Sequence, residues 1–154
     1  MLHIGILAHS GDGASLCFLE MVRESARRLG AHDHPEITLS ILPMKPTLAA
    51  YEARDLAAVR AHLAATAQRL ADAGCAFFVC PDNTAHIALE APGNPLALPG
   101  LHIAEIVAQP DVKERIEKTG LSAAYLDGVK FGAEVRADHE RFGKIIRDAG
   151  IVPH

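Results

Sequence analysis

Three short apolar runs, each leading into a turn and then into residues of helical period, constrain this chain more than any other feature. The clearest is Phe77-Phe78-Val79-Cys80, entered through Ala73-Gly74 and followed by the polar turn Pro81-Asp82-Asn83, with a helix expected from about Thr84. Two aromatics and a valine in so short a run read as a buried strand. A parallel strand running into a helix gathers unpaired backbone N–H groups and the positive end of the helix dipole at one point. Such a point receives carboxylate or phosphate. Ligands of open α/β sheets also lie beyond the carboxyl ends of the strands. Asp82 or Asn83 can equally serve as a plain N-cap, and local physics leaves both readings open.

The rest of the chain repeats the unit. Residues 2–8 form the first apolar run and read as the central strand, followed by the glycine-rich loop His9-Ser10-Gly11-Asp12-Gly13. A helix is expected from near Ala14 to Gly30, with Leu16, Phe18, Leu19, Val22, Ala26 and Leu29 close to helical period. The spacing of Gly5, Gly11 and Gly13 fits neither dinucleotide nor P-loop patterns, so no nucleotide site is expected. Residues 37–42 are a second strand, and the two prolines of Pro43-Met44-Lys45-Pro46-Thr47 predict a loop. Residues 51–73 predict one amphipathic helix with Leu56, Val59, Leu63, Ala67 and Leu70 on its inner face. Leu101-His102-Ile103 is the fourth strand, running into a helix at Ala104. This alternation predicts an α/β fold, a four-stranded and mainly parallel sheet sandwiched by helices, in one domain over residues 1–108. Residues 109–154 predict a helical extension packing on it: a proline-started helix ended by Gly120, then a long helix over 128–149. Val129, Phe131, Val135, Phe142, Ile145 and Ile146 form the apolar face of that long helix.

Composition excludes several classes of function. At 154 residues there is room for one domain with a core, and not for two of ordinary size. A net charge of −4 and the lack of any Lys/Arg run argue against nucleic acid. No run of about 18 apolar residues is present, so no membrane partner is expected, and the absence of a leader pattern points to a cytoplasmic location. Cys17, Cys75 and Cys80 are odd in number and lack C-x-x-C spacing. His32-Asp33-His34 has no third ligand nearby, so no metal is expected.

The segment Phe78-Val79-Cys80-Pro81-Asp82-Asn83-Thr84-Ala85-His86 resembles the Cys-Asn-Thr-x-His signature of the cofactor-independent aspartate/glutamate racemases. The resemblance reaches back to Ile4-Gly5-Ile6-Leu7 and its loop, and forward to Leu101-His102-Ile103-Ala104-Glu105. It implies a racemase-like protein that binds a small amino-acid carboxylate, needs no pyridoxal phosphate or other cofactor, and corresponds to half of a two-domain enzyme. The family flanks the α-carbon with a cysteine from each domain, since a thiol can be tuned to titrate near working pH. Here the place directly before Asn-Thr holds Asp82, with Cys80 two residues earlier, and these two are the catalytic candidates. An ordinary aspartate, with a pKa of about 3.9, is the weaker base. The same resemblance makes Ser10, Asn83 and Thr84 candidates for the substrate carboxylate, with Ser15 beside them. Lys45 is the one cation in the loop that meets the side-chain carboxylate. No second cysteine motif follows, which leaves open a homodimer that supplies the other wall. It equally leaves open a non-catalytic carboxylate-binding or structural fusion remnant. From Pro110-Asp111-Val112 to Ile151 the chain is similar instead to the C-terminal end of solute-binding proteins of tripartite tricarboxylate transporters.

Overall fold

The computed structural model describes residues 2–122 and 128–150, with side chains in the second stretch from Gly132 onward. Four strands, β1 (Ile4–Ala8), β2 (Ile37–Ile41), β3 (Phe77–Val79) and β4 (Gly100–Leu101), form one sheet in the order β2-β1-β3-β4. Every pairing is parallel, with Ile4 opposite both Ile37 and Phe77. All four carboxyl ends therefore lie along one edge. The helices between them are α1 (Gly11–Leu29), α2 (Lys45–Glu52), α3 (Leu56–Asp72) and α4 (Asn83–Leu89). After β4 come α5 (Ile103–Val107), α6 (Pro110–Glu117) and α7 (Gly128–Asp148). The α/β class and the four-stranded parallel sheet expected from the alternating runs are what the structure contains.

Alternation along the strands divides the core in two. Leu7, Phe78 and Cys80 face α3 and α4, where Val59, Leu63, Ala67, Leu70, Ala85 and Ala88 close over them. Ile6 and Ala8 face α1 and meet Ala14, with Cys17, Met21, Ile37 and Val79 partly covered around them. At β4, a Cβ on Gly100 would run into the Phe78 ring, so only glycine lets this strand pair there.

Four boundaries differ from expectation. The fourth strand, expected over Leu101-His102-Ile103, is Gly100–Leu101, because the His102 side chain accepts from the Ala104 N–H and starts α5 at Ile103. The Pro43–Thr47 loop is partly helix: α2 starts at Lys45 with Pro46 in its first turn, where a missing N–H costs no helical bond. The single helix expected over 51–73 is two, because Arg54 adopts a left-handed φ of 57° and Asp55 starts α3 by accepting from the Ala58 N–H. Helix α1 begins at Gly11, about a turn before Ala14. On α7, Val135, Phe142, Ile145 and Ile146 are all exposed. Val129 and Phe131, expected on the same face, have side chains outside the described part, as does Ile151.

Candidate functional site

The carboxyl edge of the sheet brings three connections side by side, because β1 lies between β2 and β3. From β1 comes His9-Ser10, from β2 the start of α2, and from β3 the turn Pro81-Asp82-Asn83. The loops approach closely at Gly13, where a Cβ would stand 3.1 Å from the Pro81 carbonyl oxygen and 3.2 Å from the Ser10 hydroxyl oxygen. A side chain there would require the Pro81 carbonyl and the Ser10 hydroxyl to give by a few tenths of an ångström.

Asp82 is the N-cap of α4. Its Oδ1 accepts from the Thr84 N–H at 3.0 Å, the Thr84 hydroxyl at 2.7 Å and the Ala85 N–H at 3.3 Å. Its Oδ2 lies 3.2 Å from Nδ1 of His9. Burial by itself raises this carboxyl, but the bonds from Thr84, His9 and Ala85 together outweigh it and hold Asp82 below the ordinary carboxylate range. The cap and the anion receptor, both open in the sequence, thus compete for the same amides, and at Thr84 and Ala85 the protein's own side chain occupies them.

Helix α1 is different. Ser10 at its N-cap makes no side-chain cap bond, so the first-turn amides of this 19-residue helix lack a side-chain cap among the described residues. Ser10 is half-buried, and Asn83, Thr84 and Ser15 are exposed. Lys45 opens α2 and is exposed, in the connection after β2, the strand next to β1.

Cys80 directly follows β3 on the α3 side of the sheet and is 3 % exposed. Burial pushes its thiol up to about 12, so it carries its proton at any ordinary pH. His86 donates from Nε2 to the Cys80 carbonyl at 3.0 Å, which anchors the strand end from the far side of the α4 turn. Burial lowers the His86 pKa against the opposing pull of that bond. Its Nδ1 has no partner among the described residues.

Reading the residues one by one missed His9, Thr47 and Tyr51. His9 is 3 % exposed, with Nε2 lying 3.2 Å from Oγ1 of Thr47. The Tyr51 ring meets it edge-on at 5.7 Å, and the Tyr51 hydroxyl donates to the Thr84 carbonyl at 2.9 Å. His9 therefore reaches both neighbouring connections at once. The available signal was its position, a histidine directly after a strand buried on both faces. Thr47 and Tyr51 had none: the sequence puts Thr47 in a proline loop and Tyr51 at the start of the long helix over 51–73, whereas both lie on α2.

A profile of the Asp/Glu/Hydantoin racemase family matches residues 4–124. No curated protein matches the chain. Among solved structures, a candidate Asp/Glu racemase from Yersinia pestis is similar, with 20 % identity and a TM-score of 0.64 over 79 % of this chain and 51 % of that one. An aspartate racemase homologue from Pyrococcus horikoshii shows 21 % identity and a TM-score of 0.59 over 78 % of this chain and 50 % of that one. At such identities the likeness is one of fold, and the chain spans about half the length of either structure. With the profile extending from the first strand through α6, the chain belongs to the Asp/Glu/Hydantoin racemase family.

Proposed function

We propose that the carboxyl edge of the sheet binds a small amino-acid carboxylate as one wall of a racemase-type site, without pyridoxal phosphate or metal. The observation that supports this best is the uncapped N-terminus of α1 beside Ser10, facing the Pro81–Asn83 turn. Free N–H groups and the helix dipole favour an anion there, whereas the start of α4 already holds the Asp82 carboxylate. In this reading Ser10 and the α1 amides take the α-carboxylate, Asn83 and Thr84 border it from the neighbouring turn, and Lys45 meets a side-chain carboxylate. Asp82 is the acid/base group standing where the family has cysteine, with Cys80 behind it. Residues 1–108 carry the ligand and residues 109–154 form a helical extension, whose likeness to transporter receptors contributes no ligand residue.

Racemisation needs a second acid/base group across the α-carbon. A second copy of the chain is the proposed source, so activity is expected from a dimer. Incubation with L-aspartate or L-glutamate in D₂O, followed by NMR of the α-position, tests this reading. Deuteration above background that is lost in Asp82→Ala supports it, and exchange that survives in that variant removes Asp82 from the role. A second reading, binding without turnover, draws on the three donors already bonded to Asp82 Oδ1, which weaken it as a base. Stabilisation against heat by millimolar dicarboxylic amino acids, with no exchange in D₂O, is the result that reading expects.

A further inference from the structure

The His9 network has more acceptors than a neutral imidazole can serve. Thr47 has one hydroxyl proton, and it is committed to the Met44 carbonyl at 2.6 Å. Its oxygen can then only accept from His9, so Nε2 must carry a proton. On the other side of the ring, Nδ1 faces Oδ2 of Asp82 at 3.2 Å, and one of those two atoms must also carry a proton. Three donors already converge on Oδ1 of the same carboxyl, two backbone N–H groups and the Thr84 hydroxyl. Such a set favours the charged carboxylate. The remaining proton therefore belongs on Nδ1.

We infer that His9 carries a proton on both ring nitrogens and is a positioning residue, an imidazolium clamp joining the α2, β1 and α4 connections at the carboxyl edge. Neither of its bonds is to a ligand. Through Asp82 it fixes the carboxylate that caps α4, and through Thr47 it fixes the start of α2. Loss of one ring proton leaves a single donor for two acceptors. One bond must then open, releasing either the Asp82 carboxylate or Thr47.

The titratable groups packed around the ring define the conditions for this clamp. Asp82 faces it from the α4 turn and Tyr51 from α2. From α3, His62 has its pKa lowered first by burial and then by the charge of His9. Cys80 lies behind Asp82 with a thiol that stays protonated. Among the described residues Asp82 is thus the anion against the ring, and the clamp is closed while Asp82 is ionised and His9 holds both protons. It opens when Asp82 gains a proton or the His9 ring loses one, because either change removes a donor–acceptor pair from the network.

The inference concerns the ligand-free protein, so it stands or falls separately from amino-acid binding at the same edge. The test is NMR on the full chain with ¹⁵N-labelled histidine, His9 being assigned from the signal lost in His9→Gln. Ring-nitrogen shifts and the backbone amides of Thr47, Thr84 and Ala85 are followed across pH. Both ring nitrogens are expected to be protonated while the network is closed. The three amides should move with the same midpoint as the His9 ring, and Thr84 and Ala85 exchange should quicken roughly fivefold as one capping interaction weakens. In His9→Gln that shared transition should vanish. One bare ring nitrogen throughout, or a His9 ring that titrates while the amides stay put, overturns the clamp. Should His9→Gln not fold, the wild-type ring shifts and amide midpoints decide by themselves, with His9 assigned through its contact to Tyr51.

Discussion

The two faces of the sheet are closed to very different degrees. On one, α3 and α4 bury Leu7 and Phe78 beneath Val59, Leu63 and Leu70, each at most 2 % exposed. On the other, Ala14 of α1 packs on Ile6 and Ala8, these three being the buried cluster of that face among the described residues, and an open groove runs on past Ile4, Met21, Leu29, Phe77 and Ile106. The contrast follows from the helices. Helix α3 presents a full stripe of inward residues to the strands, while α1 leaves Leu16 and Leu19 facing solvent. Burial of apolar area scales with the coverage a helix provides, so the stability of this chain should reside mainly on the α3 side. The candidate site sits at the edge where both faces end.

Substitutions on each face can break that comparison. Phe78→Ala should have the largest effect, a loss of about 3–5 kcal/mol in denaturant unfolding, against about 1–2 kcal/mol for Met21→Ala on the α1 face. Equal losses would mean that the faces contribute alike. Gly100→Ala, which drives a Cβ into the Phe78 ring, should cost about 1–3 kcal/mol and loosen β4, seen as faster amide exchange at Phe78. An unchanged midpoint would show that Phe78 has room to move.

Asp82→Ala removes the α4 cap and should cost about 1 kcal/mol. It also sharpens the picture through pH. The folded Asp82 carboxyl lies below its ordinary value. Its stabilising contribution is therefore complete above the ordinary carboxylate pKa of about 3.9 and disappears as pH falls through the lower folded value. Unfolding curves taken from neutral pH into acid should show a shallower acid slope for Asp82→Asn than for wild type. Parallel slopes would detach Asp82 from the cap. The smallest effect belongs to α7, where Ile145→Ala at a side chain 53 % exposed should change stability by less than about 0.5 kcal/mol. A larger loss would mean that this helix covers part of the core.

Much of the fold was legible because its signals are local. The apolar runs at Ile4, Ile37 and Phe77, and the helical stripe from Leu56 to Leu70, announce strands and helix without reference to the rest of the chain. Helix α2 escaped notice because two prolines read as breakers, although one of them sits in the first helical turn where a missing N–H is harmless. Of the candidate site, Asp82 and its helix start could be read from spacing, and the family signature supplied the chemistry proposed for it. What could not be read was the competition for the amides, since a cap and an anion receptor look identical in sequence.

His9 marks the boundary between the two kinds of information. By itself the sequence determined that a parallel sheet forms and that its carboxyl edge carries Ser10, Lys45 and the Asp82–Thr84 turn, because periodicity and turn chemistry act between near neighbours. Only the tertiary structure decided that a histidine in one connection lies between a threonine 38 residues later and an aspartate 73 residues later. Strand order brings those loops together, and strand order depends on how the whole sheet buries its faces. The protonation demanded of that ring exists only once all three loops are in place.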